Sequence, residues 1–259
     1  MYPQSIIGDI DLYTILLCIG IVAAILVYRK AADIMNVGAK LFNFTLFCAF
    51  ISIVVGLSSA VLFQALYNIG ERGAFIIDKS TGATFAGGLI GGASTFLLIY
   101  FIFGKRIDKS YKKEAMSIVN AAACSIPAAH GFGRLGCLMA GCCYGKPTDA
   151  FYGMYMHDLG YKVVPVQLFE AIFLFILFFV LFSVLKKQKK YTMSLYLTSY
   201  GIWRFFAEFM RDDDRGASII KALSPSQLIS IIMLFLGIVL FISERRTDIS
   251  LGGGQNEDK

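Results

Sequence analysis

The chain has 259 residues, of which 57% are hydrophobic and only 16% charged, and its mean hydropathy is +0.67. A soluble domain carries about 25% charged residues, and here the charges gather between long apolar runs, which excludes an ordinary soluble enzyme and points to a polytopic membrane protein. The net charge of +6 is not laid out as a basic patch with interleaved aromatics, so no nucleic acid partner is expected. The excess reads instead as topology-setting charge on one face of a membrane.

Asp9 and Asp11 precede the first apolar run. A signal peptide opens on positive charge, so no cleavable one is expected. Seven apolar segments follow, at 12–28, 41–67, 83–103, 116–140, 164–185, 193–210 and 226–243. Each approaches the roughly 20 residues that a helix rising about 1.5 Å per residue needs to cross hydrocarbon. Backbone hydrogen bonding in lipid makes them helices. The expected fold class is therefore all-α, a multi-pass membrane protein of about seven transmembrane helices.

The loops set the expected orientation. Arg29, Lys30 and Lys40 follow the first segment, and Lys105, Arg106, Lys109, Lys112 and Lys113 the third. Lys186, Lys187, Lys189 and Lys190 follow the fifth, and Arg245 and Arg246 the seventh. The alternate loops are poorer: Arg72 and Lys79, then Lys146 and Lys162, then Arg211, Arg215 and Lys221. Positive-inside reasoning places the N-terminus outside and the C-terminus in the cytoplasm. Residues 1–246 are expected as one transmembrane domain, and the polar, glycine-bearing stretch 247–259 as a disordered cytoplasmic tail.

Four stretches carry candidate chemistry. The third segment has glycines at 87, 88, 91 and 92, a small-residue face that suits either close helix packing or approach of the backbone to a lipid headgroup. The fourth contains Pro127 and leads into His-Gly-Phe-Gly-Arg-Leu-Gly-Cys-Leu-Met-Ala-Gly-Cys-Cys-Tyr-Gly at 130–145. If helix resumes after the proline, His130, Arg134, Cys137 and Gly141 share a face. Gly131, Gly133 and Gly136 weaken that helix and would allow partial unwinding beside a cavity. An arginine at membrane depth costs several kcal/mol unless something uses or neutralises it. Cys18, Cys48 and Cys124 lie singly in apolar runs, as small hydrophobes do, whereas Cys137, Cys142 and Cys143 cluster. Cys-x4-Cys-Cys lacks the paired knuckles of zinc sites, and no metal or other cofactor is assigned. In the fifth segment Glu170 sits about a turn and a half inside and needs a cation or a cavity. In the sixth, Tyr200, Arg204, Glu208 and Arg211 fall on one helical face. Arg204 and Glu208 can simply pair with each other. Two intramembrane guanidiniums also suit a phosphate, and near the outer leaflet that phosphate belongs to a phospholipid headgroup.

Taken in order, these pieces resemble the prolipoprotein diacylglyceryl transferase family. Tyr13 matches its first-span tyrosine, and Gly87-Gly88-Leu89-Ile90-Gly91 its His-Gly-Gly-Leu-Ile-Gly motif after the histidine. Gly133-Arg134-Leu135-Gly136, Gly141 and Gly145 match its Gly-Arg-x-Gly-Asn signature. Pro165, Gln167, Leu168 and Glu170 match Pro-Ser-Gln-Leu-Tyr-Glu, and Tyr200, Gly201, Arg204, Glu208 and Arg211 match Tyr-Gly-x-x-Arg-x-x-x-Glu-x-x-Arg. Ser226, Gln227 and Ser230 resemble its last-helix motif. The chain departs from the pattern at Ala86, where the family has histidine, at Cys137 and Ala140, where it has asparagines, and at Cys142, where it has an acid.

The resemblance implies a bacterial plasma-membrane enzyme that moves diacylglyceryl from phosphatidylglycerol, or a similar anionic phospholipid, to the lipobox cysteine of a prolipoprotein, forming a thioether and releasing glycerol phosphate. In that reading Arg134 and Arg204 hold the phosphate, His130 serves as base, and Cys142 or Cys143 is a candidate nucleophile. Tyr13, Gly87, Gly88, Cys137, Cys143, Glu170, Tyr200, Glu208 and Arg211 would contact substrate. Two other readings stay open: a paralogue with another acceptor or a non-catalytic phospholipid-binding protein, and thiol redox or metal work by the three cysteines with His130.

Overall fold

The structure is a computed structural model that describes residues 11–73, 75–78, 81–157, 159–188, 190–212 and 223–253. Among these are seven α helices: α1 (Leu12–Ile34), α2 (Ala39–Arg72), α3 (Phe85–Ile107), α4 (Tyr111–Ala140), α5 (Val166–Gln188), α6 (Thr192–Ala207) and α7 (Pro225–Gly253). Each answers to one apolar segment of the sequence. Their ends follow local chemistry. Asp11 caps α1, its carboxylate accepting from the Thr14 amide at 2.8 Å, a bond that satisfies an otherwise orphaned helix N–H and draws the Asp11 carboxyl below its usual range. Gly73 closes α2 in the left-handed region at φ 69°, as a residue without Cβ readily does.

Among the described residues five helices are long and apolar enough to cross a membrane: α1, α2, α3, α5 and α7. The other two of the seven expected spans differ for physical reasons. α6 has only 16 residues before a 3₁₀ turn at Glu208–Met210, and α4 carries lysines, His130 and Arg134 along its length. α4 is continuous through Pro127 and the glycines to Ala140, so the stretch is not unwound as its composition allowed. α7 runs on to Gly253, beyond Arg246, where the sequence reading ends the membrane domain. Asp9, Lys79, Lys189, Arg215, Lys221 and the tail residues 254–259 lie outside the described residues.

The chain packs as two compact units, one of residues 37–116 and one of residues 1–36 with 117–259. In the first, α3 lies along α2 on small residues. A methyl group at Gly56 would sit 3.0 Å from the Gly88 carbonyl oxygen, and one at Gly92 3.2 Å from that of Ser52. The glycine face is thus spent on helix packing. Tyr100 closes the far end, its hydroxyl donating to the Tyr111 carbonyl at 2.6 Å.

In the second unit, α6 and α7 approach closely at Gly201 and Gly237, and α1 meets α4 at Gly20, where a methyl would lie 3.0 Å from the Ala129 carbonyl oxygen. One end is tied by a polar knot. Asn120 donates to Glu244 at 2.9 Å, and its side-chain oxygen accepts from the Met193 amide and the Thr192 hydroxyl, both at 3.0 Å. At the other end, β1 (Met154–Met156) pairs antiparallel with β2 (Tyr161–Val163). The hairpin packs Met156 and Val163 on Leu138, near the end of α4. That end carries the candidate site.

Candidate functional site

Glu170 is the hub. It sits in the first turns of α5, behind Pro165, and its side chain is fully buried. A bare carboxylate there would carry a large desolvation penalty. Three groups answer it. From α4, Arg134 Nε lies 3.0 Å from Glu170 Oε2, a close ion pair whose atoms are offset from the hydrogen-bond line. From α6, the Tyr200 hydroxyl donates to Oε1 at 2.8 Å. His130, one turn before Arg134, has Nε2 3.8 Å from Oε1 and sits edge-on to the Tyr200 ring. Tyr196 stacks on Tyr200 with planes 2° apart. The four-residue spacing 130/134 on α4 brings two side chains of that helix to the carboxylate, and the spacing 196/200 on α6 sets Tyr196 behind the one tyrosine that reaches it.

Arg204, next on the α6 face, takes the plainer of its two sequence readings. Its Nη2 donates to Glu208 Oε2 at 2.8 Å and to Ser226 Oγ at 2.9 Å, and Ser224 Oγ donates to Glu208 Oε1 at 2.7 Å. The sequence alone suggested two guanidiniums converging on one anion. The structure gives each its own carboxylate, Glu170 for Arg134 and Glu208 for Arg204, while Glu170 lies within electrostatic reach of both cations. Ser224, Ser226 and Tyr196 are partners that sequence reasoning did not assign to the site. Ser226 was legible as part of the last-helix motif, but serine at the start of an apolar helix reads equally as a cap, so nothing tied it or Ser224 to Arg204 and Glu208.

Beyond Arg134 the helix ends in a turn that gathers the thiols. Gly141 takes φ 73°, the Gly141 amide donates to the Leu138 carbonyl and the Cys142 amide to that of Cys137. This is a Schellman closure. Cys143 is itself left-handed at φ 64°, a conformation rare outside glycine. Gln167 Nε2 fixes the turn by donating to the Cys142 carbonyl at 2.6 Å. The three sulfurs of Cys137, Cys142 and Cys143 lie within 4.8 Å of one another. Hydrogen bonds from the Cys137 and Cys142 thiols, with one from buried Arg211, hold Cys143 well below the ordinary thiol range, and Cys142, as a donor to the other two, is pushed up. Arg211 is placed by a bridge to Gly145. A methyl at Gly145 would sit 2.5 Å from the Met210 carbonyl oxygen, which is why that position is glycine. Tyr13 packs on Gly136 and lies within electrostatic reach of all three thiols.

The structure therefore brings His130, Arg134, Glu170 and Tyr200 into one cluster, sets Arg204 and Glu208 beside it, and groups Tyr13, Cys137, Cys142, Cys143 and Arg211 at the helix end. Gly87 and Gly88 belong to the other compact unit, where they pack on Phe63 and Ala60 of α2. The family profile described as prolipoprotein diacylglyceryl transferase matches residues 4–243. The chain belongs to this family. A relative in Clostridium perfringens, phosphatidylglycerol–prolipoprotein diacylglyceryl transferase 2, is 32% identical over 237 residues, covering 88% of this chain and 89% of that protein. Proteins of the same name without the numeral in Clostridium tetani and Finegoldia magna are each 30% identical, covering 90% and 93% of this chain and 92% and 94% of their own length. Membership of this transferase family and the five spanning helices make the chain a multi-pass protein of the bacterial plasma membrane.

Proposed function

We propose that the protein transfers the diacylglyceryl group of phosphatidylglycerol to the thiol of a prolipoprotein cysteine. A sulfur–carbon bond forms at the glyceryl carbon, the carbon–oxygen bond to phosphate breaks, and glycerol phosphate leaves with the electron pair while the thiol proton passes to a base. The observation that carries this reading is the buried Arg134–Glu170–Tyr200 cluster with His130 beside it, inside a chain whose family match runs from residue 4 to 243. That match crosses both compact units, which supports treating the chain as one catalytic domain.

Arg134 is the phosphate-binding cation in this reading. Its Nε edge is turned to Glu170, so the terminal nitrogens meet the phosphate oxygens and stabilise charge developing on the leaving group. Arg204 adds positive potential from the next turn of α6, held by Glu208 and Ser226. Glu170 orients the guanidinium and backs His130, the candidate base, whose side chain is 28% exposed and so open to a thiol. The Gly133 face next to Arg134 has open space beside it, room for a lipid headgroup.

The chain is further proposed to cross the membrane seven times, with α4 and α6 completing the five apolar spans, and with the N-terminus outside. The lysines and arginines gathered at and just beyond the ends of α1, α3 and α5, with Arg245 and Arg246 in the C-terminal part of α7, support that orientation. Purified protein in phosphatidylglycerol vesicles with a lipobox peptide tests the activity. Glycerol phosphate release matched by thioether lipopeptide is the expected result. Arg134→Lys should lower the rate roughly 100-fold or more, since an ammonium lacks the fork and one lost transition-state donor costs about that much. Lipid binding without release would instead favour the non-catalytic reading.

A further inference from the structure

We propose that Cys137, Cys142 and Cys143 form a three-thiolate site for a zinc ion, and that its fourth position takes the acceptor thiol of the transfer reaction. The role in transfer rests on the function proposed above; the metal site rests on geometry alone.

Zinc–sulfur bonds of about 2.3 Å in a tetrahedron set ligand sulfurs about 3.8 Å apart. The three sulfurs here all lie within 4.8 Å of one another, so small side-chain rotations close the site. The sequence spacing hides this, because Cys-x4-Cys-Cys has no paired knuckle. The Schellman turn supplies what the spacing lacks: it folds Cys142 and Cys143 back over the last turn of α4 to meet Cys137. The ligands are held in advance. Cys143 is kept left-handed, the Cys142 carbonyl is tied to buried Gln167, and the Gly145 amide that follows donates a hydrogen bond to the Val164 carbonyl at 2.9 Å.

Three features favour an open site over a closed structural one. Among the described residues the group comprises three ligands, where closed zinc sites take four. Cys142 is exposed, so the cluster faces an approaching molecule. Arg211, buried and hydrogen-bonded to Cys143, offsets the net negative charge that three thiolates leave on a divalent cation, the kind of outer partner that tunes metal ligands. Cys137 and Cys143 also lie within electrostatic reach of Arg134, which places a bound sulfur beside the proposed phosphate site.

The chemistry fits a thiol acceptor. A coordinated thiol loses its proton outright, and the thiolate is the nucleophile. The acceptor thiol binds zinc and releases a proton, which His130 or solvent takes. Its sulfur then forms the bond to the glyceryl carbon as glycerol phosphate leaves. The metal changes neither oxidation state nor ligand count beyond exchanging thioether for the next thiol.

The test uses the full chain, purified in detergent without chelator, and then loaded with cobalt(II) in place of zinc. The expected result is zinc by elemental analysis, thiolate-to-cobalt charge-transfer absorption, and a shift of the cobalt ligand-field bands on adding a lipobox peptide. The serine analogue of the peptide should give no shift. Cys142→Ser and Cys137→Ser should each weaken metal affinity by roughly 10-fold or more while leaving the thermal midpoint of the apoprotein within a few degrees. Three titratable thiols with no metal, a disulfide within the cluster, or a three-coordinate copper(I) centre would each overturn the site. Full-rate transfer by the chelated protein would overturn its role while the transferase reading stands. A thiol-responsive cobalt spectrum without glycerol phosphate release would uphold the site and sink that reading instead.

Discussion

At the scale of single residues, the site turns on one carboxylate. Glu170 is fully buried with Arg134, and such a pair gains little over a hydrophobic replacement, yet breaking it strands a charge. Glu170→Leu alone should therefore lower stability by about 3–5 kcal/mol. Pairing it with Arg134→Met should restore most of that loss, and neither protein should transfer lipid. Unfolding in mixed micelles, read beside glycerol phosphate release, separates the two effects. If the double variant is no more stable than the single, the pair does not carry the charge balance assigned to it. The ionisable residues were legible in the sequence because an arginine, a glutamate and a histidine in apolar segments have few innocent explanations. Their partners were not. Periodicity puts Arg204 and Glu208 on one face, and that pair formed. Nothing local says that Arg134 meets Glu170 36 positions later (170 minus 134), because this depends on how α4 and α5 pack.

At the scale of elements, glycine content alone misleads and the neighbours decide. Gly133 has no atom within 4 Å of where a methyl would stand, whereas at Gly145 that methyl would overlap the Met210 carbonyl. Gly133→Ala should raise stability by up to about 1 kcal/mol, the helix-propensity difference. Gly145→Ala should lower it by about 1–3 kcal/mol, because a backbone carbonyl cannot swing aside as a side chain can. Opposite signs in one melting series are the expected outcome, and a loss at both positions would contradict the space seen beside Gly133. The continuity of α4 has the same origin. Gly131 and Gly136 sit against Phe175 and Tyr13, not in an unwound segment, so packing overrides their weak propensity. The knot around Asn120 was invisible in the sequence, since an asparagine in an apolar run shows no partner until α6 and α7 arrive. Asn120→Leu removes three side-chain hydrogen bonds and leaves the Glu244 carboxylate short of a donor. It should cost about 2 kcal/mol or more, with little direct effect on lipid chemistry at the opposite end of α4.

At the scale of the whole molecule, two kinds of helix are set to cross. Apolar length marks α1, α2, α3, α5 and α7 as spans, and α4 and α6 are marked instead by their company. Each carries its ionisable groups against another helix of the same compact unit: Arg134 against α5, Tyr200 against α5, Arg204 against the start of α7. A helix that buries its polar face in protein can cross lipid at a hydropathy that would fail for a lone span. Loop charge then makes a sharp prediction. If both cross, the loops at 108–110 and 189–191 share the cytoplasmic side with the C-terminus, and the 141–165 loop lies outside. Alkaline phosphatase fused after Phe151 should be active, and fusions after Asp108, after Gln188 and at the C-terminus should be silent, with a fluorescent protein giving the inverse set. If α4 did not cross, the fusions after Asp108 and Phe151 would report the same side. If α6 did not cross, fusions after Gln188 and Asp212 would agree with each other. Either result would count against the proposed seven-span topology, and with it against the outer-leaflet position proposed for the Arg134 cluster and the thiol turn.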